Sequence, residues 1–209
     1  RNIGGNTHYH VELEAELAAR HKNELLAQIG QIKPEHVQCF YVRQAEALGL
    51  GHAVLCAERL VQDEPFAVIL ADDLLYAEVP VMRQMTEMHG HYGCSIIGVE
   101  AIQPQQSSAY GVISGTPIAE RILKLDGIIE KPLPESAPSN MGGVGRYILT
   151  PSIFRHLHAL RPGAGGELQL TDAIDHLLSS EAVLSYQFEG KRYDCGTKQG
   201  YLQATVEFA

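Results

Sequence analysis

Two adjacent carboxylates, Asp72 and Asp73, follow the continuous apolar run 66–70. Such a run is typical of a strand buried on both faces, and in an open α/β sheet ligands bind beyond the carboxyl ends of the strands. A carboxylate at that place can hold Mg²⁺ together with phosphate oxygens. Because neighbouring side chains on an extended chain point in opposite directions, we expect only one of the two to face a metal, and we favour Asp72. The alternative is that the pair caps a turn or a helix.

Two further polar groups also follow predicted strands. Glu130 and Lys131 end a short apolar segment, where the carboxylate could accept hydrogen bonds from sugar hydroxyls and the ammonium group could pair with a phosphate. Asp194 lies at a predicted strand-to-helix turn and could be a second metal ligand. The alternatives are an exposed ion pair for Glu130 and Lys131, and a helix N-cap for Asp194.

A glycine-containing turn occupies residues 44–52, directly after a predicted strand at 37–42. Its glycines, including Gly49, permit a tight turn and the close approach of backbone to a ligand. The amide of Gln44 offers both a donor and an acceptor, which suits the edge of a nucleobase. The alternative is a simple junction between a strand and a helix, because a lone G-x-G is a weak signal.

The elements that must position these groups alternate along the first half of the chain. The predicted helices cover 11–29, 51–60 and 79–89, and the predicted buried strands cover 66–70 and 94–99. This alternation predicts βαβ units, and therefore an α/β fold with a largely parallel sheet. The second half mixes short strands with helices. No repeat or domain boundary is evident, so we expect one domain over residues 1–209.

Composition and charge argue against several classes of function. The 209 residues carry a formal net charge of −9, which argues against a general nucleic-acid partner. No run of 18 apolar residues is present, which argues against a membrane span and a membrane partner. The four cysteines form no C-x-x-C pair, and we expect reduced thiols and a cytoplasmic location.

Ten short segments together resemble the bacterial UTP–glucose-1-phosphate uridylyltransferases, a family of nucleotidyltransferases. They keep the family's order and cover nearly the whole chain: 42–44 (VRQ), 49–55 (GLGHAVL), 63–70 (DEPFAVIL), 109–112 (AYGV), 130–132 (EKP), 137–140 (APSN), 144–147 (VGRY), 162–165 (PGAG), 167–174 (ELQLTDAI) and 194–196 (DCG). Each segment alone is unspecific, but the ordered set is highly specific.

The resemblance implies a Rossmann-like nucleotidyltransferase fold of the GT-A-like kind, with a mixed, mainly parallel sheet flanked by helices. It implies that glucose 1-phosphate attacks the α-phosphorus of UTP in line, giving UDP-glucose and pyrophosphate. The nucleotide would be bound by Gln44, Gly49, Leu50 and Asp72, and the sugar phosphate by Gly111, Glu130, Lys131, Val144 and Gly145. Mg²⁺ would be held by Asp72 and Asp194, and the catalytic residues would be Asp72, Lys131 and Asp194. The family commonly forms homo-oligomers, so a dimer or tetramer is expected.

One family feature is absent from these residues. The glycine-rich G-x-G-T-R loop, which cradles the triphosphate, and the P-K-E segment that follows it are not found in residues 1–209. We therefore expect the N-terminal strand and the phosphate loop to be missing here, and these residues alone to be inactive.

Three alternative functions stay open. A non-catalytic relative would bind a nucleotide-sugar without turnover, and a glycosyltransferase would use Asp72 and Asp73 to hold the metal of a sugar donor. A related pyrophosphorylase would use dTTP or another sugar phosphate.

Overall fold

The computed structural model describes residues 11–32 and 37–209. The chain separates into two compact units, residues 1–43 and residues 44–209. In the first unit, α1 (Val11–Ala19) and α2 (Asn23–Ile32) pack against each other. A single helix was expected here. The break lies at His21, whose positive φ of 54° is incompatible with a continuous α-helix.

The predicted strand at 37–42 is wrong, because residues 37–43 form no strand. The apolar side chains that suggested it, Phe40, Tyr41 and Val42, are exposed. Apolar β-formers only indicate a strand, because strand formation also requires a neighbouring strand to bond the backbone.

The second unit contains eight strands. In chain order they are β1 (Phe66–Ile69), β2 (Asp73–Tyr76), β3 (Ser95–Ala101), β4 (Gly111–Ala119), β5 (Ile122–Glu130), β6 (Met141–Leu149), β7 (Val183–Gln187) and β8 (Lys191–Asp194). Six of them form one sheet in the order β1-β6-β3-β7-β5-β4, and β2 pairs with β8 in a separate two-stranded sheet.

The helices of this unit are α3 (Leu50–Leu55), α4 (Glu58–Val61), α5 (Val81–Tyr92), α6 (Ser152–Ala159), α7 (Leu170–Leu177) and α8 (Lys198–Glu207). Short 3-10 helices lie at Pro104–Ala109, Pro134–Ser136 and Ala164–Gly166. Helix α8 is capped by Thr197, whose hydroxyl accepts a hydrogen bond from the Gly200 N–H. No helix in residues 11–32 or 37–209 has the length and hydrophobicity needed to cross a membrane.

The prediction of a mixed α/β sheet flanked by helices is confirmed, but the prediction of mainly parallel strands is wrong for the described strands. Only β3 and β7 pair in parallel. Strand β6 runs antiparallel to β1, β3 and β4. Strands β4 and β5 form a hairpin, whose turn uses the positive φ of 63° at Arg121. Continuous apolar runs predict burial on both faces, and they do not fix the direction of the neighbouring strand.

Two apolar clusters lie on the two faces of the main sheet, as the alternation of side chains along strands requires. Ile97 packs with residues of α6 and α7, such as Ile153 and Ile174. Ile96, the residue before Ile97, points to the opposite face of the sheet and packs with Met85 of α5. The main sheet is therefore covered on both faces, which leaves the ends of its strands as the place for a site.

Candidate active site

A cavity of about 460 Å³ lies beyond the ends of β1, β5 and β8 and beside the starts of α3 and α7. It is lined by Gly49, Leu50, Leu70, Asp72, Asp73, Ala109, Tyr110, Gly111, Glu130, Lys131, Gly143, Gly145, Tyr147, Glu167, Gln169, Leu170, Thr171, Arg192 and Asp194. Of the residues predicted to form the site, all except Gln44 and Val144 are in this lining. Segments more than 100 residues apart in the sequence therefore meet at one place.

The carboxylates of Asp72 and Asp194 converge at Gly196. A Cβ atom built on Gly196 would lie 3.0 Å from Asp72 Oδ2 and 3.1 Å from Asp194 Oδ1, so a larger residue would push against both. The backbone fixes this arrangement, because the Cys195 N–H donates to the Asp72 carbonyl at 2.8 Å. The Gly196 N–H also donates to Asp194 Oδ1 at 3.1 Å.

The two members of the Asp72–Asp73 pair have different surroundings. Asp73 is 7% exposed, and its Oδ2 accepts a hydrogen bond from the Gly145 N–H at 2.6 Å. Its Oδ1 accepts from Arg192 Nε at 2.5 Å. Asp72 is exposed on the cavity. Asp73 is thus occupied by internal bonds, whereas Asp72 is exposed, and the role of Asp72 as a metal ligand stays a prediction.

Arg192 is a site residue that the sequence reading missed. Its side chain is 8% exposed. Besides Asp73, its Nη1 donates to Glu100 Oε1 at 2.8 Å and to the Tyr110 hydroxyl at 2.9 Å. Its guanidinium also lies 5.0 Å from the centre of the Tyr110 ring. Burial disfavours the charged guanidinium, but the hydrogen bonds to Tyr110 and Asp73 outweigh burial and raise the pKa of Arg192. One sequence signal for Arg192 was available: it precedes Asp194 by two residues, which places both side chains on the same face of a strand.

Arg146 was missed in the same way, although it lies inside one of the ordered family segments. Its Nη1 donates to the carbonyls of Leu70 at 3.1 Å and Gly145 at 3.0 Å, and its Nη2 donates to the Asp73 carbonyl at 2.5 Å. Burial lowers the pKa of Arg146. These bonds hold the turn after β1, which carries Asp72, against β6.

At the opposite wall, Glu130 is held by Thr171. The Thr171 hydroxyl donates to Glu130 Oε2 at 2.9 Å, while Lys131 Nζ lies 3.6 Å from Glu130 Oε1. Lys131 has a positive φ of 46°, and its N–H donates to the Tyr110 carbonyl at 2.9 Å. Gly111 pairs with Glu130 across β4 and β5, and a Cβ there would lie only 2.7 Å from Thr171 Cγ2.

The loop at Gly49 is fixed by backbone contacts with residues 167–169. Gly49 has a φ of 90°, and a Cβ on it would lie 2.8 Å from the Leu168 carbonyl oxygen. The Gly51 N–H donates to this carbonyl at 2.8 Å, and the Leu168 N–H donates to the Leu48 carbonyl at 2.8 Å. Gln44 does not line the cavity. Its Nε2 donates to the Gly49 carbonyl at 3.1 Å, so the Gln44 side chain is bonded to the loop.

The prediction that Val144 lines the sugar pocket is wrong for its side chain. Val144 is fully buried in the apolar cluster around Met85. Side chains alternate along β6, so Val144 faces the core when its neighbours face the cavity. Gly145 does line the cavity, and a Cβ there would lie 2.5 Å from Leu70 Cβ and 2.6 Å from Asp73 Oδ2.

In the part of the chain that the structure describes, no group of three or more His, Cys, Asp and Glu side chains could enclose a metal ion. The carboxylates of Asp72 and Asp194 are a two-ligand set. Such a set suits a cation that completes its coordination with water and substrate phosphates, as Mg²⁺ does, and does not suit zinc.

Comparison with known proteins places this geometry in a family. The nucleotidyl transferase family model matches residues 15–209. The chain is 44% identical to the UTP–glucose-1-phosphate uridylyltransferase of Pseudomonas aeruginosa, over 93% of this chain and 70% of that protein. It is 43% identical to the enzyme of the same name from Bacillus subtilis, over 100% of this chain and 71% of that protein.

Solved structures agree. A UDP-glucose pyrophosphorylase complexed with UDP-glucose superposes with a TM-score of 0.84 at 43% identity, covering 90% of this chain and 72% of that one. The UTP-bound enzyme from Acinetobacter baumannii superposes with a TM-score of 0.82 at 37% identity, covering 99% of this chain and 72% of that one. The chain therefore belongs to the nucleotidyl transferase family, among the UTP–glucose-1-phosphate uridylyltransferases.

Proposed function

We propose that the full-length protein transfers a uridylyl group from UTP to glucose 1-phosphate, and that residues 1–209 form one nucleotidyltransferase domain. A phosphate oxygen of the sugar phosphate forms the new bond to the α-phosphorus of UTP. The bond from that phosphorus to the β-phosphate oxygen breaks, and pyrophosphate leaves with the electron pair. The observation that carries the proposal is the single cavity in which Asp72 and Asp194 lie with Glu130 and Lys131.

The two carboxylates at Gly196 suit the metal-dependent form of this reaction. Asp72 and Asp194 would hold Mg²⁺, because their oxygens converge and neither is used in an ion pair with another described residue. When bound, Mg²⁺ would neutralise part of the charge of two anionic substrates that otherwise repel each other. Asp73 does not bind metal in this proposal, since both of its oxygens already accept internal hydrogen bonds.

The sugar phosphate is assigned to the wall formed by β4 and β5. Glu130 would accept hydrogen bonds from the glucose hydroxyls, and Thr171 holds its carboxylate in place. Lys131, with a half-exposed side chain, would pair with the phosphate. Gly111 leaves room for the sugar, and Gly145 contributes backbone. Phosphoryl-type transfer needs positioning and charge neutralisation more than covalent help, and these residues supply both.

The nucleotide is assigned to the loop around Gly49 and Leu50. Gln44, which is bonded to this loop, would read the base, and Asp72 would hold the Mg²⁺ that neutralises phosphate charge. This loop lies at the same cavity as Asp72, so one molecule of UTP could contact both. We further propose a cytoplasmic homo-oligomer with small-molecule substrates, and no nucleic-acid or membrane partner.

The test is pyrophosphate release by the full-length protein with UTP, glucose 1-phosphate and Mg²⁺. We expect release to need all three. Asp72→Asn, which keeps the shape and removes the charge, should lower kcat by a factor on the order of 10²–10³, as loss of one electrostatic contact to a transition state does. Asp63→Asn is the matched control, because Asp63 is an exposed aspartate outside the cavity.

Three outcomes would contradict the proposal. Release of UDP in place of pyrophosphate would indicate a glycosyltransferase. Binding of UDP-glucose without any release would indicate a non-catalytic relative. Equal losses in Asp72→Asn and Asp63→Asn would remove Asp72 from the reaction.

A further inference from the structure

The backbone of Lys131 has a conformation that its sequence disfavours. Its φ is 46°, in the left-handed region that non-glycine residues rarely adopt. The next residue is Pro132, and a residue before proline normally has a negative φ in the extended region, because the proline ring clashes with other conformations. Such strain persists only where the surrounding structure holds it. Contacts with another segment must therefore keep Lys131 in this conformation.

Two hydrogen bonds hold the backbone on the two sides of this strained residue. The Lys131 N–H donates to the Tyr110 carbonyl at 2.9 Å. The hydroxyl of Ser107 donates to the Pro132 carbonyl, also at 2.9 Å. The two partners belong to one short segment, because the Tyr110 N–H donates to the Ser107 carbonyl at 3.1 Å. Residues 107–110 therefore hold the chain both before and after the Lys131 Cα atom.

Ser107 is too deeply buried to contact a substrate. It is 1% exposed and lies outside the lining of the cavity. Pro132 is also buried, and because a proline has no N–H, the carbonyl is its one backbone hydrogen-bonding group. A buried carbonyl without a partner is costly. The bond from Ser107 therefore opposes any displacement of residues 131 and 132.

We propose that Ser107 is a positioning residue for the phosphate group of the sugar phosphate. Together with Tyr110 it keeps Lys131 in the left-handed conformation, from which the lysine side chain lines the cavity. That side chain is flexible and 57% exposed, so its own contacts do not fix it, and the backbone sets where it enters the cavity. The proposal rests on the proposed function, in which Lys131 pairs with the phosphate.

The experiment measures kcat and the two KM values of the full-length protein in Ser107→Ala. We expect KM for glucose 1-phosphate to rise about three- to tenfold, the range that one hydrogen bond supplies. The values of kcat and of KM for UTP should stay near those of the wild type, because the loss concerns binding of one substrate. Ser108→Ala is the matched control, since Ser108 is the exposed neighbour in the same 3-10 helix, and it should change none of the three values.

A double substitution separates positioning from general damage. If Ser107 acts through Lys131, KM for glucose 1-phosphate in Ser107→Ala/Lys131→Ala should equal that in Lys131→Ala alone. Additive increases, an equal rise in KM for both substrates, or an unchanged KM in a folded Ser107→Ala protein would overturn the proposal. If Ser107→Ala does not fold, Ser107→Cys has a similar shape with a weaker donor and carries the same expectation.

The strained backbone gives a second measurement, which does not depend on turnover. Lys131→Gly and Lys131→Ala both remove the ammonium group, but glycine adopts a positive φ freely and alanine does not. We expect a higher urea midpoint for Lys131→Gly than for Lys131→Ala. Because Ser107 helps to impose the left-handed conformation, the difference should shrink when Ser107→Ala is added to both proteins. An undiminished difference would contradict the role of Ser107.

Calorimetric titration with UDP-glucose distinguishes this proposal from the proposed function. Absence of pyrophosphate release would contradict the function, while the affinity for UDP-glucose can still be measured. A dissociation constant that rises in Ser107→Ala, but not in Ser108→Ala, and that rises no further when Ser107→Ala is added to Lys131→Ala would support the role of Ser107. Equal dissociation constants for Ser107→Ala and the wild type would overturn it even if turnover were present.

Discussion

Replacing Arg192 by methionine removes the guanidinium that donates to Asp73, Glu100 and Tyr110. Methionine fills much of the same volume without charge. Its introduction leaves the Asp73 carboxylate, 7% exposed, without its counter-charge, and the backbone N–H of Gly145 is then the remaining donor to this carboxylate among the described residues. Glu100 also loses its partner, but its side chain is 31% exposed and water can replace the bond.

The expected loss of stability follows from this burial. Breaking a buried ion pair from one side reduces the free energy of unfolding by about 3–5 kcal/mol, because the remaining charge is uncompensated. With a urea slope of about 3 kcal/mol/M, this corresponds to a midpoint lowered by about 1–1.7 M. The double variant Asp73→Asn/Arg192→Met should lose less stability than the sum of the losses in the two single variants, because a neutral amide leaves no unpaired charge when Arg192 is absent.

The assay is urea unfolding followed by circular dichroism for the wild type, both single variants and the double variant. Lys191→Met is the matched control, since Lys191 neighbours Arg192 but forms an exposed pair with Glu207. We expect no resolvable shift in the control. A shift in Arg192→Met no larger than that in Lys191→Met, or strictly additive losses in the double variant, would refute the reasoning.

Three further perturbations test separate parts of the molecule. Gly111→Ala places a Cβ 2.7 Å from Thr171 Cγ2, so Thr171 must move away from Glu130, and KM for glucose 1-phosphate should rise about tenfold, as for a lost hydrogen bond to a charged group. Adding Thr171→Ser removes the methyl group and should restore KM. An unchanged KM in Gly111→Ala would contradict the assignment of the sugar phosphate to this wall. Burial and the charge of Arg155 lower the pKa of His156, so the unfolded state binds the proton at a higher pH than the folded state, and the free energy of unfolding should fall as pH drops below about 6.5. Urea midpoints measured between pH 7.5 and 5.5 should therefore fall less in His156→Asn than in the wild type. Identical profiles would contradict the lowered pKa of His156. Burial raises the pKa of Cys94, so at pH 8.5 its alkylation by iodoacetamide, followed by mass spectrometry, should be slower than that of free cysteine, and an equal rate would contradict the burial effect.

The residues at the ends of strands could be predicted from the sequence because their signals are local. Asp72 follows a continuous apolar run, and Asp194 precedes a glycine and a helix N-cap. Each of these short patterns depends on backbone geometry within a few residues. The structure brings Asp72, Asp194, Glu130 and Lys131 to one cavity, as those patterns suggested.

The two arginines could not be predicted, because their partners are distant in the sequence. Arg192 bonds Asp73 across 119 positions, and Arg146 bonds the Asp73 carbonyl across 73. The spacing of Arg192 from Asp194 indicates a shared strand face, but a charged residue on a strand is usually exposed, and no local pattern shows that Arg192 is buried with a counter-charge. Strand direction was missed for a related reason: pairing β6 antiparallel to β1 and β3 is a choice between distant segments.

Glycines explain why these distant segments can come so close. Three of the carboxylates at the cavity rest against a glycine in another segment: Asp72 against Gly196, Asp73 against Gly145 and Glu130 against Gly111, where a Cβ would lie at 3.0 Å, 2.6 Å and 3.4 Å from the carboxylate oxygen. None of these three glycines has a positive φ, so steric room, and not backbone freedom, is what the position requires.

This requirement changes how such glycines should be interpreted in a sequence. A glycine inside a strand weakens the strand, and the usual reading is a bulge or a flexible point. Gly111 instead pairs regularly with Glu130, and Gly145 lies where β6 shifts register against β3; at both positions the missing side chain leaves the space that a carboxylate or its partner occupies. A glycine in a strand that ends near a predicted carboxylate is therefore a signal for the second side of the site. In this chain, that signal points to Gly145, whose N–H donates to Asp73 Oδ2 at 2.6 Å and so occupies one oxygen of the buried member of the pair.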